Sequence, residues 1–181
     1  MRRMSIKRRL TAIDRKAFYF INHRLKNRWF DWIMPVITNE HYFRVPFLIV
    51  FIFLWIFGTP TIRTIMVLIA MVVALSDQLC NLIKRKFGRL RPGLTLPDAH
   101  RMVKAGRLSF PSAHSANNFG TALVISWFAP QIGVWFIGLS LIIGFSRVYC
   151  GVHYPLDVAV GFLVGAVFAL ITCLGYGYFW G

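Results

Sequence analysis

The chain has 181 residues, 57% of them hydrophobic and 16% aromatic, and sets 21 lysines and arginines against six acids for a formal net charge of +15. Soluble globular proteins hold about 45–50% apolar residues, so this excess excludes an ordinary soluble domain, and the length leaves no room for a soluble module beside one membrane domain. Ten basic residues fall within Met1–Arg28 and eight between Lys84 and Arg107, flanking apolar runs rather than interleaving them, which suits an anionic phospholipid surface and argues against nucleic acid.

The chain opens on a mixed segment, residues 1–41. Ile13, Ala17, Phe20, Ile21 and Leu25 recur at helical spacing, with Arg15, Lys16, Arg24 and Lys26 between them. This predicts an amphipathic helix lying in the membrane interface, anchored by Trp29 and Trp32. A span here would bury His23, Arg24, Lys26 and Arg28 in hydrocarbon. The segment lacks a signal peptide's apolar core and small-residue cleavage site, so targeting is expected to fall to a retained transmembrane helix.

Five apolar segments follow, at about 42–57, 61–83, 112–128, 131–149 and 155–180. The predicted fold class is all-α: a polytopic transmembrane helical bundle of five spans, or six if part of Trp29–Thr38 enters the membrane. The whole chain, 1–181, reads as one membrane-embedded domain, with 1–41 as interfacial segment and 42–181 as helical core. The first and third segments are short for a bilayer core, which takes about 20 residues. Gly161 and Gly165 form a GxxxG spacing that lets another helix approach closely. Cys80, Cys150 and Cys173 show no metal-ligand spacing, and the first and last of these read as packing residues.

Polar groups beside membrane helices are costly and mark function by default. They gather at three places, which an out-and-back path through the membrane brings to one face. The first is Lys84 to Arg91-Pro92: a mobile ammonium and a planar fork, both suited to phosphate oxygens. The second is Phe110-Pro111-Ser112-Ala113-His114, where a helix begins and its free N–H groups and dipole favour an anion. His114 stands there as a candidate proton donor to a leaving oxygen. The third is Ser146-Arg147 with His153 and Asp157, four apart, so that a carboxylate can fix the ring tautomer and leave the other nitrogen as nucleophile. The plain alternatives are snorkelling cations, an ordinary Ser N-cap, and a structural His–Asp bond. Together the three places form a kit for phosphoryl transfer through a covalent histidine.

These residues resemble the type 2 phosphatidic acid phosphatase superfamily, whose signature reads K-x6-RP, PSGH and SR-x5-H-x3-D. The match is Lys84 to Arg91-Pro92, then Pro111-Ser112-Ala113-His114, then Ser146-Arg147 to His153 and Asp157. Ala113 departs from the usual Gly, which implies an altered preference rather than a dead site, since Gly permits closer backbone approach. The resemblance implies that His153 attacks phosphorus, Asp157 orients it, and His114 protonates the leaving oxygen and then activates water. It implies that Lys84, Arg91, Ser112, Ala113 and Arg147 form the phosphate-binding set. No cofactor or metal is expected, and six scattered acids offer no carboxylate cage. Asp77, Asn81 and Lys84 share one helical face, which suggests that Asp77 positions Lys84 or simply makes an inter-helix hydrogen bond.

The loop before the third segment adds Arg101, Lys104 and Arg107 as candidate headgroup contacts. The expected partner is a membrane lipid phosphate, with lipid A 1-phosphate, undecaprenyl diphosphate, phosphatidylglycerol phosphate and phosphatidic acid as candidates. A phosphotransferase with a non-water acceptor is the alternative activity. The sequence leaves the oligomeric state open. It presents a conflict over sidedness: the basic N-terminus shares the site's face and belongs inside by the positive-inside rule, whereas the resemblance implies the outer, periplasmic face of the cell membrane.

Overall fold

The computed structural model describes residues 6–180, and among these every regular element is a helix. Arg2 and Arg3 of the N-terminal basic cluster, and Gly181, lie outside the described residues. The helices are α1 (Ile6–Tyr19, continued by a wider turn over Phe20–Arg24), α2 (Arg28–Thr38), α3 (His41–Phe57) and α4 (Pro60–Phe87). After them come α5 (Pro92–Thr95), α6 (Ala113–Phe128), α7 (Pro130–Tyr149) and α8 (Pro155–Trp180).

The boundaries follow local chemistry. Thr59 caps α4 by accepting from Ile62 N at 3.3 Å, with Pro60 in the first turn where a missing N–H is harmless. Gly88, at φ 60°, ends α4 in the left-handed conformation that glycine adopts freely, its N–H bonded to Lys84 O. Arg63 donates to the carbonyls of Trp55 and Ile56 and so satisfies the last turn of α3 across a tight corner. Pro130 and Pro155 open α7 and α8.

α6 sits in the middle, packed against α4, α7 and α8. Small residues set the approach, as the GxxxG spacing predicts. A Cβ on Gly165 would fall 2.1 Å from Ala116 O, and one on Gly161 would fall 2.4 Å from Ser112 O. Alanine at either place would drive α8 away from the start of α6. Cys80, Val72, Ala116, Val124 and Cys173 fill the seam between them, so the cysteines are packing residues, free and buried.

The outside of the bundle is apolar. α3 buries none of its residues, and Phe47 and Ile49 are each more than 60% exposed. Surfaces of this size belong against lipid. Each of the five predicted segments is a helix. Among the described residues α4, α7 and α8 are long and apolar enough to cross alone, and α2 with α3, bent by 50°, passes as a further, broken span. α6 is shorter because three helices surround it, so its length need not match the lipid.

The N-terminal segment also differs from expectation. Phe18, Asn22 and Asp14 are the buried residues of this helix, while Leu10, Ile13 and Phe20 are exposed. The helix therefore docks onto the bundle by a face next to its apolar stripe: Ile21 packs against the core, while Leu10, Ile13 and Phe20 stay open to a membrane surface. α2 has 11 residues, too few to cross alone. α1, tied through Asp14 to Arg89 and Leu156, lies on the face where α4 ends and α6 begins, and the sidedness conflict is not relieved.

Candidate active site

The ends of α4, α6, α7 and α8, and the loops between them, meet at one face. The loop after α4 turns back on itself: Arg91 N donates to Arg107 O, Ser109 N donates to Arg89 O, and Leu90 pairs with Leu108. It is tied to the α7–α8 corner by Gly93 N to Gly151 O and Met102 N to Cys150 O. Gly151 has φ 71°, and a Cβ there would meet His100 O at 2.6 Å. Only glycine suits that corner.

His153 sits in this corner, 2% exposed. Its Nε2 lies 3.0 Å from Arg91 Nη1, which also donates to Val152 O at 2.9 Å. A guanidinium only donates, so Nε2 must accept and the ring proton rests on Nδ1. Nδ1 faces Asp157 Oδ2 at 3.6 Å, with no closer partner. The Nε2 lone pair is therefore the reactive one. Burial, and after it Arg147, Arg91, Lys84 and His114, push His153 well below the usual histidine range, which keeps the ring neutral and nucleophilic.

His114, in the first turn of α6, lies with Arg91, Arg147, Lys104, Thr38 and Glu40 around a cleft of about 590 Å³. Arg147 donates to Thr38 O at 3.0 Å and to its hydroxyl at 3.2 Å. The Nε atoms of both Arg91 and Arg147 are buried without a hydrogen-bond partner. Two guanidinium groups that line one cleft, each with an unpartnered donor, suit phosphate oxygens. Burial lowers Arg91 to about 10 despite the nearby Asp157, which leaves it charged at neutral pH. Lys84 is half-buried in the last turn of α4, within electrostatic reach of Arg91 and Arg147.

Several candidates take other places. Ser112 is wholly buried: its Oγ accepts from Ser115 N at 3.4 Å, and its N–H is donated to Asp157 O at 2.9 Å. It caps α6 and fastens it to α8. Ala113 opens α6 and packs on the seam of Cys80, Ala116 and Val164. Asp77 does not touch Lys84; it accepts from Asn117 Nδ2 at 3.0 Å, the inter-helix bond that was the alternative. In the loop, Lys104 lines the cleft. Arg101 instead folds back onto the carbonyls of Val103 and Ala105, and Arg107 contributes its main-chain carbonyl to Arg91 while its side chain is exposed.

The structure also brings in residues that the motifs do not mark. Glu40, between α2 and α3, places Oε2 2.9 Å from His114 Nε2. Asn22 grips the loop, donating to His100 O and Tyr149 O and accepting from His100 N. Asp14 and Arg89 form a partly buried ion chain with Asp157: Arg89 Nη1 lies 2.7 Å from Asp157 Oδ1, and Nη2 lies 2.5 Å from Asp14 Oδ2. The one sequence signal for Asp14 is its spacing of four from Phe18 and of eight from Asn22, a face distinct from the apolar stripe.

A family model described as the PAP2 superfamily matches residues 65–180. The chain is 30% identical to a lipid A 4'-phosphatase of Bacteroides thetaiotaomicron, over 86% of this chain and 73% of that one. It is likewise 30% identical to the undecaprenyl-diphosphatase BcrC of Bacillus subtilis, over 84% of this chain and 76% of the relative. The crystal structure of LpxE from Aquifex aeolicus superposes with a TM-score of 0.76 at 28% identity, covering 88% of this chain and 94% of that one.

Proposed function

The chain belongs to the PAP2 superfamily, and from that premise we propose that it is a membrane lipid phosphatase working through a phosphohistidine at His153. The observation that carries this is the His153 ring, with Nε2 turned to Arg91 and Nδ1 turned to Asp157. Nε2 attacks phosphorus as the bond to the lipid oxygen breaks, and His114 gives that oxygen its proton. Water, deprotonated by His114, then attacks the phosphorus and releases inorganic phosphate and neutral His153. Arg91, Arg147 and Lys84 hold the three equatorial oxygens, the electrostatic part on which phosphoryl transfer mainly depends. Lys104, at the mouth of the cleft, takes the headgroup. Glu40 orients His114 and is the counter-ion when that ring is charged.

The substrates that fit are lipid A phosphate or undecaprenyl diphosphate, in keeping with the names of the two relatives. Among the described residues no group of three or more His, Cys, Asp or Glu side chains is placed to hold a metal ion. Because the phosphohistidine route uses side chains alone, detergent-purified protein is expected to release phosphate in EDTA from one of a panel of lipid A, undecaprenyl diphosphate, phosphatidylglycerol phosphate and phosphatidic acid. If folded protein released nothing from any of them, the hydrolase reading would fall, and acceptor hydroxyls would be tried for a transferase.

We place the site on the outer face of the cell membrane, as the resemblance implies. The three native cysteines are buried, so Leu94→Cys, on the exposed site loop, reports alone. A membrane-impermeant maleimide should label it in intact spheroplasts. Labelling only after permeabilisation would put the site in the cytoplasm, where the N-terminal cations point.

A further inference from the structure

We propose that Arg89, fixed by Asp14 of the N-terminal helix, is a positioning residue for catalysis: it holds the Asp157 carboxylate ionised and aimed at His153 Nδ1. This rests on the phosphohistidine reading and assigns work to Asp14, outside the three motifs, and to Arg89, at a position that the first motif leaves unspecified.

Arg89 is gripped from three sides. Its two Nη atoms reach Asp157 and Asp14, and its guanidinium lies 3.9 Å from the centroid of the Tyr154 ring. Asp14 is itself held, since its other oxygen accepts from Leu156 N at 2.9 Å. The second oxygen of Asp157 accepts from Tyr154 N at 2.9 Å and is the one facing His153. Arg89 thus fixes one carboxylate oxygen and leaves the other for the histidine.

Charge gives the arrangement its function. Asp157 is fully buried and Asp14 is 5% exposed, a costly place for ions. Two carboxylates share one guanidinium, so the chain Asp14–Arg89–Asp157 is one positive charge short. That charge arrives on the His153 ring when Nε2 bonds to phosphorus, and it appears beside the carboxylate oxygen that Arg89 leaves free. The groups facing Asp157 are Asp14 from α1, Arg89, Arg91 and Ser109 from the α4–α6 loop, and His153 with Tyr154 N from the α7–α8 corner. Arg91 turns its Nη1 to Nε2 and Val152 O and not to Asp157, which leaves Arg89 as the cation bonded to Asp157.

Opposite consequences follow from removing the two partners. Without Arg89, Asp157 loses its bonded cation and stays charged only at higher pH, so the acid limb of kcat moves up. Without the charge of Asp14, Arg89 acts undivided on Asp157, and the acid limb moves down. Damage to packing would not move the limb in two directions.

The test is the pH profile of phosphate release by full-length protein in detergent, on a lipid that the wild type hydrolyses. The variants are Arg89→Met, Arg89→Lys and Asp14→Asn, with His153→Ala alongside. Arg89→Met should lower kcat by about tenfold to a hundredfold, as loss of outer partners of functional histidines does. KM should stay within about twofold, because uniform binding is untouched. Arg89→Lys should recover most of the rate. Asp14→Asn should shift the acid limb opposite to Arg89→Met. If the limbs stay put or move together while His153→Ala is dead, the Arg89 proposal is overturned and the phosphohistidine reading stands. If His153→Ala still turns over, that reading falls first. Should Arg89→Met fail to fold, Asp14→Asn carries the decision: an acid limb moved down supports the proposal, and one that stays put or moves up overturns it.

Discussion

His153→Ala is expected to lower phosphate release by at least about a thousandfold, the scale on which enzymes lose rate when a covalent nucleophile is removed. The residue is buried, and Nε2 is the acceptor for Arg91. Alanine would leave that guanidinium with Val152 O alone and a small void at the α7–α8 corner. The corner itself is held by main-chain bonds, Val152 N and His153 N to Arg147 O and Gly93 N to Gly151 O, so the backbone should keep its path. Substrate binding should therefore persist: Arg91, Arg147 and Lys84 remain, and KM should change little while kcat collapses. Phosphate release measured over a range of substrate concentrations checks both numbers. A variant keeping a tenth or more of wild-type kcat would remove His153 from the chemistry and point to direct attack by water.

Much of this site was legible because its parts are local in sequence. Lys84 precedes a Gly-ended helix terminus, His114 follows a Pro-Ser cap, and His153 and Asp157 are four apart. The helices were equally plain, since lipid-facing apolar runs bounded by proline and glycine have few other readings. What escaped is long-range pairing. Asp14 meets Leu156 across 142 positions and Arg89 across 75, and no periodicity shows such a bond. Asp14 also stands among Arg8, Arg9, Arg15 and Lys16, where an acid reads as a neighbour's counter-charge. Glu40 sits between two helices whose break is visible only in three dimensions. Ser112 is ambiguous in sequence for another reason: its hydroxyl can serve phosphate or cap a helix, and in the structure it accepts from Ser115 N as a cap.

His114 gives the prediction that bears most directly on mechanism, because its two roles have separate signatures. As acid, it matters in proportion to the basicity of the leaving oxygen. A phosphomonoester on a lipid alcohol or sugar expels a strongly basic alkoxide, whereas a lipid diphosphate expels a phosphate ester that needs little help. As base, His114 activates the water that frees His153, a step common to both substrates. His114→Asn should lower the rate on a monoester by about a hundredfold to ten-thousandfold, the range of general-acid contributions. On a diphosphate the first step should survive and the second should not. Rapid mixing should then show a burst of lipid monophosphate equal to the enzyme, followed by slow turnover, with acid-labile phosphate on the protein. The site supports this separation: His114 reaches the cleft from α6, tied to Glu40 at 2.9 Å, while His153 is set independently by Arg91 and the α7–α8 corner. Equal losses on both substrates with no burst would make His114 a structural residue of the cleft, and the proton donor would have to be sought elsewhere along it, first at Lys104.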